Sequence, residues 1–345
     1  MSEVGEESHE RKETVVMKLK EQWHCGSRWT RPHHRITFFA FFGVVFVALF
    51  GLRGVGVASE ATSFSSQPED RFCEKNRNWM KSLPDSRRLS DLALPGTHDT
   101  CATRNGVSFG FAKCQSWKLE DQLRAGVRFL DIRCKHIEDE FHIYHGVIDQ
   151  KTKFKEVVAT CQKFLKQQPG ECIVMSVMEE GAGRDNGRSF LDTFRDEIQS
   201  SESMWVYTSA VPRLGEVRGK VVLVDRVGSL KGFPWSQLEK QDDYQAKIDK
   251  KKSLIREWYT RAVKDAGQRW FINYCSGTLP RELVTPKKYA AETNEVALEL
   301  LRASKSETPA RGIFVYDFPS EVLIQTTIDA NPRSKEEPKG ENRPK

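Results

Sequence analysis

Along residues 89–330, short apolar runs alternate with longer stretches in which apolar side chains recur every three or four positions. The short runs are Leu92–Leu94, Phe129–Cys134, Phe141–His145, Cys172–Met178, Lys220–Asp225, Trp270–Tyr274 and Gly312–Tyr316. Each is rich in Val, Ile, Leu or Phe and predicts a strand. The longer stretches predict helices. In KTKFKEVVATCQKFLKQQ, for example, Phe154, Val157, Val158, Cys161 and Leu165 recur at helical spacing. Strand–helix alternation repeated about seven times predicts a parallel sheet covered by helices.

Polar residues gather just after the strand cores: His98-Asp99, Arg133, His145, Glu179-Glu180, Arg226, Ser276 and Asp317. In a closed α/β barrel those strand ends share one face, where active sites form. An open doubly wound sheet would spread them along an edge and would carry a Gly-rich phosphate loop, and GxGxxG is absent. The pattern therefore predicts an α/β fold, a distorted TIM-like (βα) barrel formed as a single domain over residues 72–331. There is no internal repeat.

The N-terminus follows a different pattern. Residues 1–35 form a polar tail, and the run from Ile36 to Leu52 carries no charge. With the following RGVGVA, residues 36–58 approach the ~20 apolar residues that cross a bilayer. Arg28, Arg31 and Arg35 precede the run, whereas only Arg53 and Arg71 follow it closely. The positive-inside bias places the N-terminus in the cytosol and the large domain outside it. Two readings stand: a single-pass signal-anchor, or a signal peptide cut near Gly56-Val57-Ala58-Ser59 that releases a secreted protein. Residues 59–71 read as a polar linker and residues 332–345 as a charged, Pro-rich disordered tail.

Cysteine usage fits export. Cys25 precedes the apolar run, and Cys73, Cys101, Cys114, Cys134, Cys161, Cys172 and Cys275 follow it. Seven is odd, so at most three bridges form, and the short spacing favours Cys101–Cys114. No CxxC or His/Cys cluster suggests zinc. A net charge of +6 without a dense Lys/Arg block argues against nucleic acid as the main partner and permits an anionic membrane surface. A monomer is expected.

Four segments carry candidate chemistry: ALPGTHDTCA with His98 and Asp99, GVRFLDIRCK with Asp131 and Arg133, FHIYHGV with His142 and His145, and GIFVYDFP with Asp317. Two imidazoles supply a general base and a general acid near neutral pH. An arginine offers a planar fork matched to phosphate oxygens. Carboxylates beside histidines fix tautomers and stabilise imidazolium. Together these suit a phosphodiester substrate. Alternation puts His145 on one face of its strand and His142 on the other, and period alone does not say which faces the site.

The motifs LPGTHDT, GVRFLDIRC, IYHG and VYDFP resemble the X-type catalytic region of the phosphatidylinositol-specific phospholipase C family, in its bacterial, secreted branch, over Leu89 to Ala330. The resemblance implies a catalytic barrel in which His98 takes the proton of the inositol 2-hydroxyl. His145, picked over His142, protonates the departing diacylglycerol oxygen with help from Asp99. Arg133 holds the phosphate and Asp317 orients His98. Calcium-dependent relatives carry Asn after the first histidine and two acidic residues in the segment matching LDIR. Here Asp99, Asp131 and Arg133 stand in those segments, and a guanidinium repels a hard cation that needs oxygen ligands, so no metal or other cofactor is expected.

The resemblance also implies headgroup contacts from Arg226, Asp242 and Tyr244, with Asp243 in place of Asp242 if the register slips by one. Glu179 and Glu180 stand where the branch usually has a lysine, and their charge disfavours phosphorylated inositols. The implied partner is phosphatidylinositol, or a glycosyl-phosphatidylinositol anchor, at a membrane surface. Phe109 and Phe111 in one loop, and Phe233 and Trp235 in another, are candidates for lipid contact. Two alternatives remain: a metal-dependent glycerophosphodiester phosphodiesterase-like barrel, which the LDIR segment speaks against, and an inactive phosphoinositide-binding barrel, which would have lost a histidine or the arginine.

Overall fold

A computed structural model describes residues 74–304 and 311–331. The expected cytosolic tail, the apolar segment 36–58, the linker 59–71, Cys25, Cys73 and the tail 332–345 lie outside the described residues. No helix among the described residues is long and apolar enough to cross a membrane.

All seven expected strands form, and four others join them. In chain order they are β1 (Ala93–Thr97), β2 (Phe129–Ile137), β3 (Glu140–His145), β4 (Ile148–Lys153), β5 (Ile173–Glu179), β6 (Trp205–Val206), β7 (Val221–Asp225), β8 (Phe233–Pro234), β9 (Glu239–Gln241), β10 (Phe271–Tyr274) and β11 (Gly312–Tyr316). The sheet runs β6-β7-β5-β2-β1-β11-β10-β9, every neighbour parallel, and β8 extends the β7 edge. β1, β2, β5, β7, β10 and β11 are mostly buried and mainly apolar on both faces, as parallel strands sandwiched between side-chain layers must be, with Asp131, Ser176 and Asn273 among the buried polar exceptions. Among the described residues no ladder joins β8 to β9. The 3-10 turn Trp235–Gln237 links the two edges, so the curled sheet is closed by the chain rather than by hydrogen bonds.

The expected strand–helix alternation fails in one place. β2, β3 and β4 form an antiparallel meander with no helix between them. The β2–β3 connection is only Glu138-Asp139, both in the left-handed region (φ 51° and 59°), and a two-residue turn of that conformation joins antiparallel strands only. The reversal has a positional consequence. β2 overshoots the sheet, and β3 runs back along it with Ile143 opposite Cys134, so the end of β3 returns to the level of Arg133.

Gly96 in β1 sits where a Cβ would lie 2.8 Å from the Phe129 ring, so glycine is required for β1 and β2 to close together. The floor is held by a buried cation. Arg128 has no exposed side chain and binds Glu171 through Nε (2.9 Å) and Nη2 (2.8 Å). It also donates to the carbonyls of Leu123, Val127, Asn76 and Arg77. A buried ion pair adds little when whole but is costly to break, because removing one partner strands the other charge. Arg128→Met is expected to lower the unfolding free energy by about 3–5 kcal/mol, measured by urea denaturation. A loss below ~1 kcal/mol would show that Glu171 finds another partner.

Candidate active site

The polar residues at the strand ends assemble into one centre at the mouth of the sheet. His98 follows β1. Its amide donates to Tyr316 O at 2.9 Å, which carries the β1–β11 ladder one residue further. Gln115 Nε2 donates to the carbonyls of His98 (2.7 Å) and Tyr316 (3.0 Å). Asp99 then turns the chain with φ 40°, a conformation Asp tolerates better than most residues. Thr97 Oγ1 donates to Gln122 (2.7 Å), Gln122 Nε2 donates to Thr100 O (2.8 Å) and the Asp131 amide donates to Thr100 Oγ1 (2.8 Å). The His98-Asp99 turn is thereby built into the fold.

The His98 ring is held at both nitrogens. Nδ1 lies 2.9 Å from Asp317 Oδ1, and Nε2 lies 2.7 Å from Arg133 Nη2. A guanidinium can only donate, so Nε2 presents its lone pair and Nδ1 carries the proton given to Asp317. Burial opposes the imidazolium form, but the Asp317 carboxylate outweighs it and holds the His98 pKa above its ordinary value.

His145 stands opposite, its ring edge-on to His98 with centroids 6.2 Å apart. Its Nδ1 lies 3.0 Å from Ala112 O, which accepts only, so Nε2 is the free nitrogen. Nδ1 is also 3.7 Å from Cys114 Sγ and 3.8 Å from Asp99 Oδ2. His142 points instead to Glu140, with its Nε2 at 3.8 Å from that carboxylate. Of the two histidines, His145 thus lies beside His98 and His142 does not.

Arg133 is ringed by Asp131 (3.4 Å), Asp99 (3.8 Å) and Glu180 (3.9 Å). Burial disfavours its charge, but the surrounding carboxylates hold its pKa well above the ordinary arginine value. Asp131 connects the parts. One oxygen accepts from the Asp99 amide (3.3 Å) and faces Arg133, and the other accepts from Arg226 Nη1 (3.2 Å). Burial would raise the Asp131 pKa, yet Arg133 and Arg226 overcome it and hold the pKa below the usual value. Asp99 is the opposite case. Neither of its oxygens has a hydrogen-bond partner, and burial outweighs its distant cations, pushing its pKa up to about 6.

Arg226 stacks on Trp235, 4.0 Å from the ring centroid, and its Nη1 reaches the Tyr274 hydroxyl at 3.4 Å. Its Nη2 is 3.9 Å from Asp242 Oδ2. Asp243 is exposed, so the register places Asp242 at the site. Tyr244 stands on the rim, 53% exposed. Glu180 Oε1 accepts from the Gly146 amide at 2.8 Å and so ties β5 to the turn after His145.

Three expectations are corrected. Cys101 and Cys114 are not bridged, and all six described cysteines are free and buried. Cys101 packs in the apolar core while the Cys114 thiol faces His145, so each sulfur has a different neighbourhood. Phe233 is buried, because its strand joins the sheet edge. Trp235 is engaged by Arg226 and by an edge contact with Tyr274, not by the surface. Sequence reasoning gave no role to Gln115, Gln122 or Tyr274; it named Asp131 among the candidates but not as the link between Arg133 and Arg226.

Among the described residues one group could hold a metal ion: ligand atoms of His98, Cys114 and Asp317 lie within 4.8 Å of one another. His98 and Asp317 already share a hydrogen bond there, so a metal would replace that proton.

A parallel α/β barrel-like sheet whose mouth holds two opposed imidazoles, a guanidinium and oriented carboxylates defines a centre for proton transfer on an anionic ester. Residues 88–227 match the family model described as phosphatidylinositol-specific phospholipase C, X domain. The 1-phosphatidylinositol phosphodiesterase of Listeria monocytogenes is 29% identical over 279 residues, covering 74% of this chain and 85% of that protein. The solved Listeria phosphatidylinositol-specific phospholipase C superposes with a TM-score of 0.66, covering 74% of this chain and 98% of that one. The 1-phosphatidylinositol phosphodiesterase of Staphylococcus aureus strain Newman is 25% identical over 245 residues, 61% of this chain and 78% of that protein. A solved double mutant of the phosphatidylinositol-specific phospholipase C of S. aureus is 23% identical. It covers 75% of this chain and 98% of its own, and shares the fold with a TM-score of 0.68.

The raised pKa of Asp99 carries a stability consequence. A carboxyl raised from 3.8 to about 6 opposes folding by about 2–3 kcal/mol once both states are ionised. That penalty is full above pH ~6 and vanishes below the unfolded value near ~3.9. Asp99→Asn keeps a residue tolerant of positive φ and removes the charge. It is therefore expected to stabilise the protein at pH 7–8 by about 1–3 kcal/mol, with the gain lost by pH ~4. Thermal unfolding across pH measures this, and a variant less stable than the parent at pH 8 would contradict it.

Proposed function

We propose that this protein is a metal-independent phosphatidylinositol or glycosyl-phosphatidylinositol phosphodiesterase, a phospholipase C that releases diacylglycerol and a cyclic inositol phosphate. The observation that carries the reading is the state of His98: its Nδ1–H donates to Asp317, which leaves the Nε2 lone pair aimed at Arg133. An unprotonated base thus lies beside the cation that would bind phosphate.

In the reaction, Arg133 turns from His98 to the non-bridging phosphate oxygens and frees Nε2. His98 removes the proton of the inositol 2-hydroxyl, that oxygen forms a bond to phosphorus, and the bond from phosphorus to the glycerol oxygen breaks. The Nε2 proton of His145 passes to the departing diacylglycerol oxygen, and the Asp99 charge supports the imidazolium form of His145. Water opens the cyclic phosphate with the two histidines in reversed roles. Arg133 supplies the charge stabilisation that a cation gives in metal-dependent chemistry. Asp317 orients His98. Arg226, Asp242 and Tyr244 take the inositol ring, with hydroxyls on the charged pair and an apolar ring face on Tyr244. Glu179 and Glu180 disfavour ring phosphates.

Lipid contact is supported by four exposed apolar side chains near the mouth: Val107 (83%), Phe109 (94%), Val147 (85%) and Leu283 (70%). They lie on segments in mutual contact, since Gly106 packs on Ile148 and Gly110 on Thr285. Clustered exposed apolar side chains suit insertion at a membrane interface. The segment 36–58 is proposed to carry the domain across a membrane, as an anchor or a cleaved signal.

The protein incubated with phosphatidylinositol vesicles and excess chelator is expected to yield cyclic inositol phosphate. His98→Ala should lower turnover at least about 10³-fold with unchanged circular dichroism. The rate should fall as pH drops through the raised His98 pKa, because the base becomes protonated, and further below about 6 as Asp99 is neutralised. Product that requires calcium, or full activity in His98→Ala, would overturn the mechanism.

A second experiment tests the surface. Phe109→Ala is expected to reduce turnover on vesicles about thirtyfold, through the roughly 2 kcal/mol lost with a large apolar side chain, while hydrolysis of soluble inositol cyclic phosphate stays unchanged. Equal loss on both substrates would instead place Phe109 in the catalytic fold.

A further inference from the structure

Lys251 lies in the first turn of helix 248–265 with no exposed surface. Burial pushes its pKa down to about 8. Among the described residues no carboxylate lies within ion-pair distance of its ammonium. Instead Nζ donates to Gln241 Oε1 at 2.9 Å and to Asp243 O at 3.0 Å. The titratable groups facing it are Asp242 and Asp243 from the segment after β9, Cys275 after β10 and Asp317 after β11. Helix 286–302 contributes the Tyr289 hydroxyl, which donates to Ala246 O at 2.7 Å.

The two acceptors of Lys251 are the residues on either side of Asp242. Gln241 is fixed further by the Asp243 amide (3.0 Å), and its own amide group donates to Asn273 Oδ1 (3.0 Å) and Tyr274 O (2.9 Å). Asn273 in turn donates to Ile255 O at 2.9 Å, which returns the network to the helix that carries Lys251. A methionine would fill the same volume without desolvating a charge. What the ammonium adds is direction: two donors aimed at the chain just before and just after Asp242.

We propose that Lys251 is a positioning residue for recognition of a vicinal polyol, the inositol ring, because it holds the Gln241 side chain before Asp242 and the Asp243 carbonyl after it, and so sets Asp242 against Arg226. The inference rests on the reading that Asp242 and Arg226 meet the ring. Lys251 touches neither substrate nor the reacting atoms, so it acts on binding rather than on chemistry.

The test uses soluble inositol 1,2-cyclic phosphate, so that vesicle binding does not enter. Lys251→Met should raise KM about fivefold or more with kcat within about twofold of the parent, and with a thermal midpoint equal to or above it. Lys251→Gln, which keeps an N–H donor, should give an intermediate KM and serves if the methionine variant does not fold. Asp242→Ala should also raise KM, and Asp242→Ala with Lys251→Met should be no worse than Asp242→Ala alone, because both act through one contact. A fall in kcat with KM unchanged, or effects of the two substitutions that add in full, would overturn the inference. If Asp242→Ala raises KM and neither Lys251 variant does, the inference alone fails. If Asp242→Ala leaves KM unchanged, the headgroup reading fails and takes the inference with it.

Discussion

The candidate site depends on one buried carboxylate, Asp131. It sits inside β2 with no exposure and meets both guanidiniums of the centre, Arg133 within its own strand and Arg226 after β7. It also accepts the amide of Asp99, which fixes the turn carrying His98. Two cations in a buried mouth would repel each other and each would lose its hydration. A carboxylate shared between them removes both difficulties and ties the ends of β1, β2 and β7 to one point. Asp317 and Asp99 then complete the balance from the two flanks.

The contrast between Asp131 and Asp99 shows how local partners, rather than burial, set the ionisation of this centre. Both are fully buried aspartates a few ångströms from Arg133. Asp131 has hydrogen-bond donors on both oxygens and its pKa is held down. Asp99 has none and rises to about 6. An ionised but unsatisfied carboxylate beside His145 is poorly placed for stability. It is well placed for a step in which His145 alternates between imidazole and imidazolium, since its charge gains most when that imidazolium forms.

Much of this arrangement was legible in the sequence, for a definable reason. His98, Asp99, Arg133 and Asp317 lie at the C-terminal ends of parallel strands, and a rule about where strands end is a rule about where residues meet. From strand period alone His145 was legible only as one of two histidines, because its position follows from the left-handed Glu138-Asp139 turn that reverses β3, and only the family resemblance picked it over His142. Side-chain alternation carries no information about that reversal. The short strands β6, β8 and β9 were missed because two or three residues give no period. The role of Trp235 was missed because a loop tryptophan next to a proline reads as surface, and nothing nearby in sequence announces Arg226 as its partner. The cysteines misled for a related reason: close spacing permits a bridge, but the turn after His98 sends Cys101 into the core and Cys114 towards the site.

On the proposed reading, Arg133 stands where a divalent ion would otherwise meet the phosphate. A divalent ion placed among Asp99, Asp131 and Glu180 would find three carboxylates, which is ordinary ligand chemistry. The guanidinium already lies within ion-pair distance of all three and of the His98 lone pair. No contact in this set is a short bidentate clamp. Three are 3.4–3.9 Å, and the closest is to a neutral nitrogen. The group is therefore charged and caged but weakly committed, and a phosphate offering two oxygens in its plane is a better partner than any it has. In the proposed mechanism, swinging to that partner would also release His98, so that binding the anion and freeing the base would be the same motion.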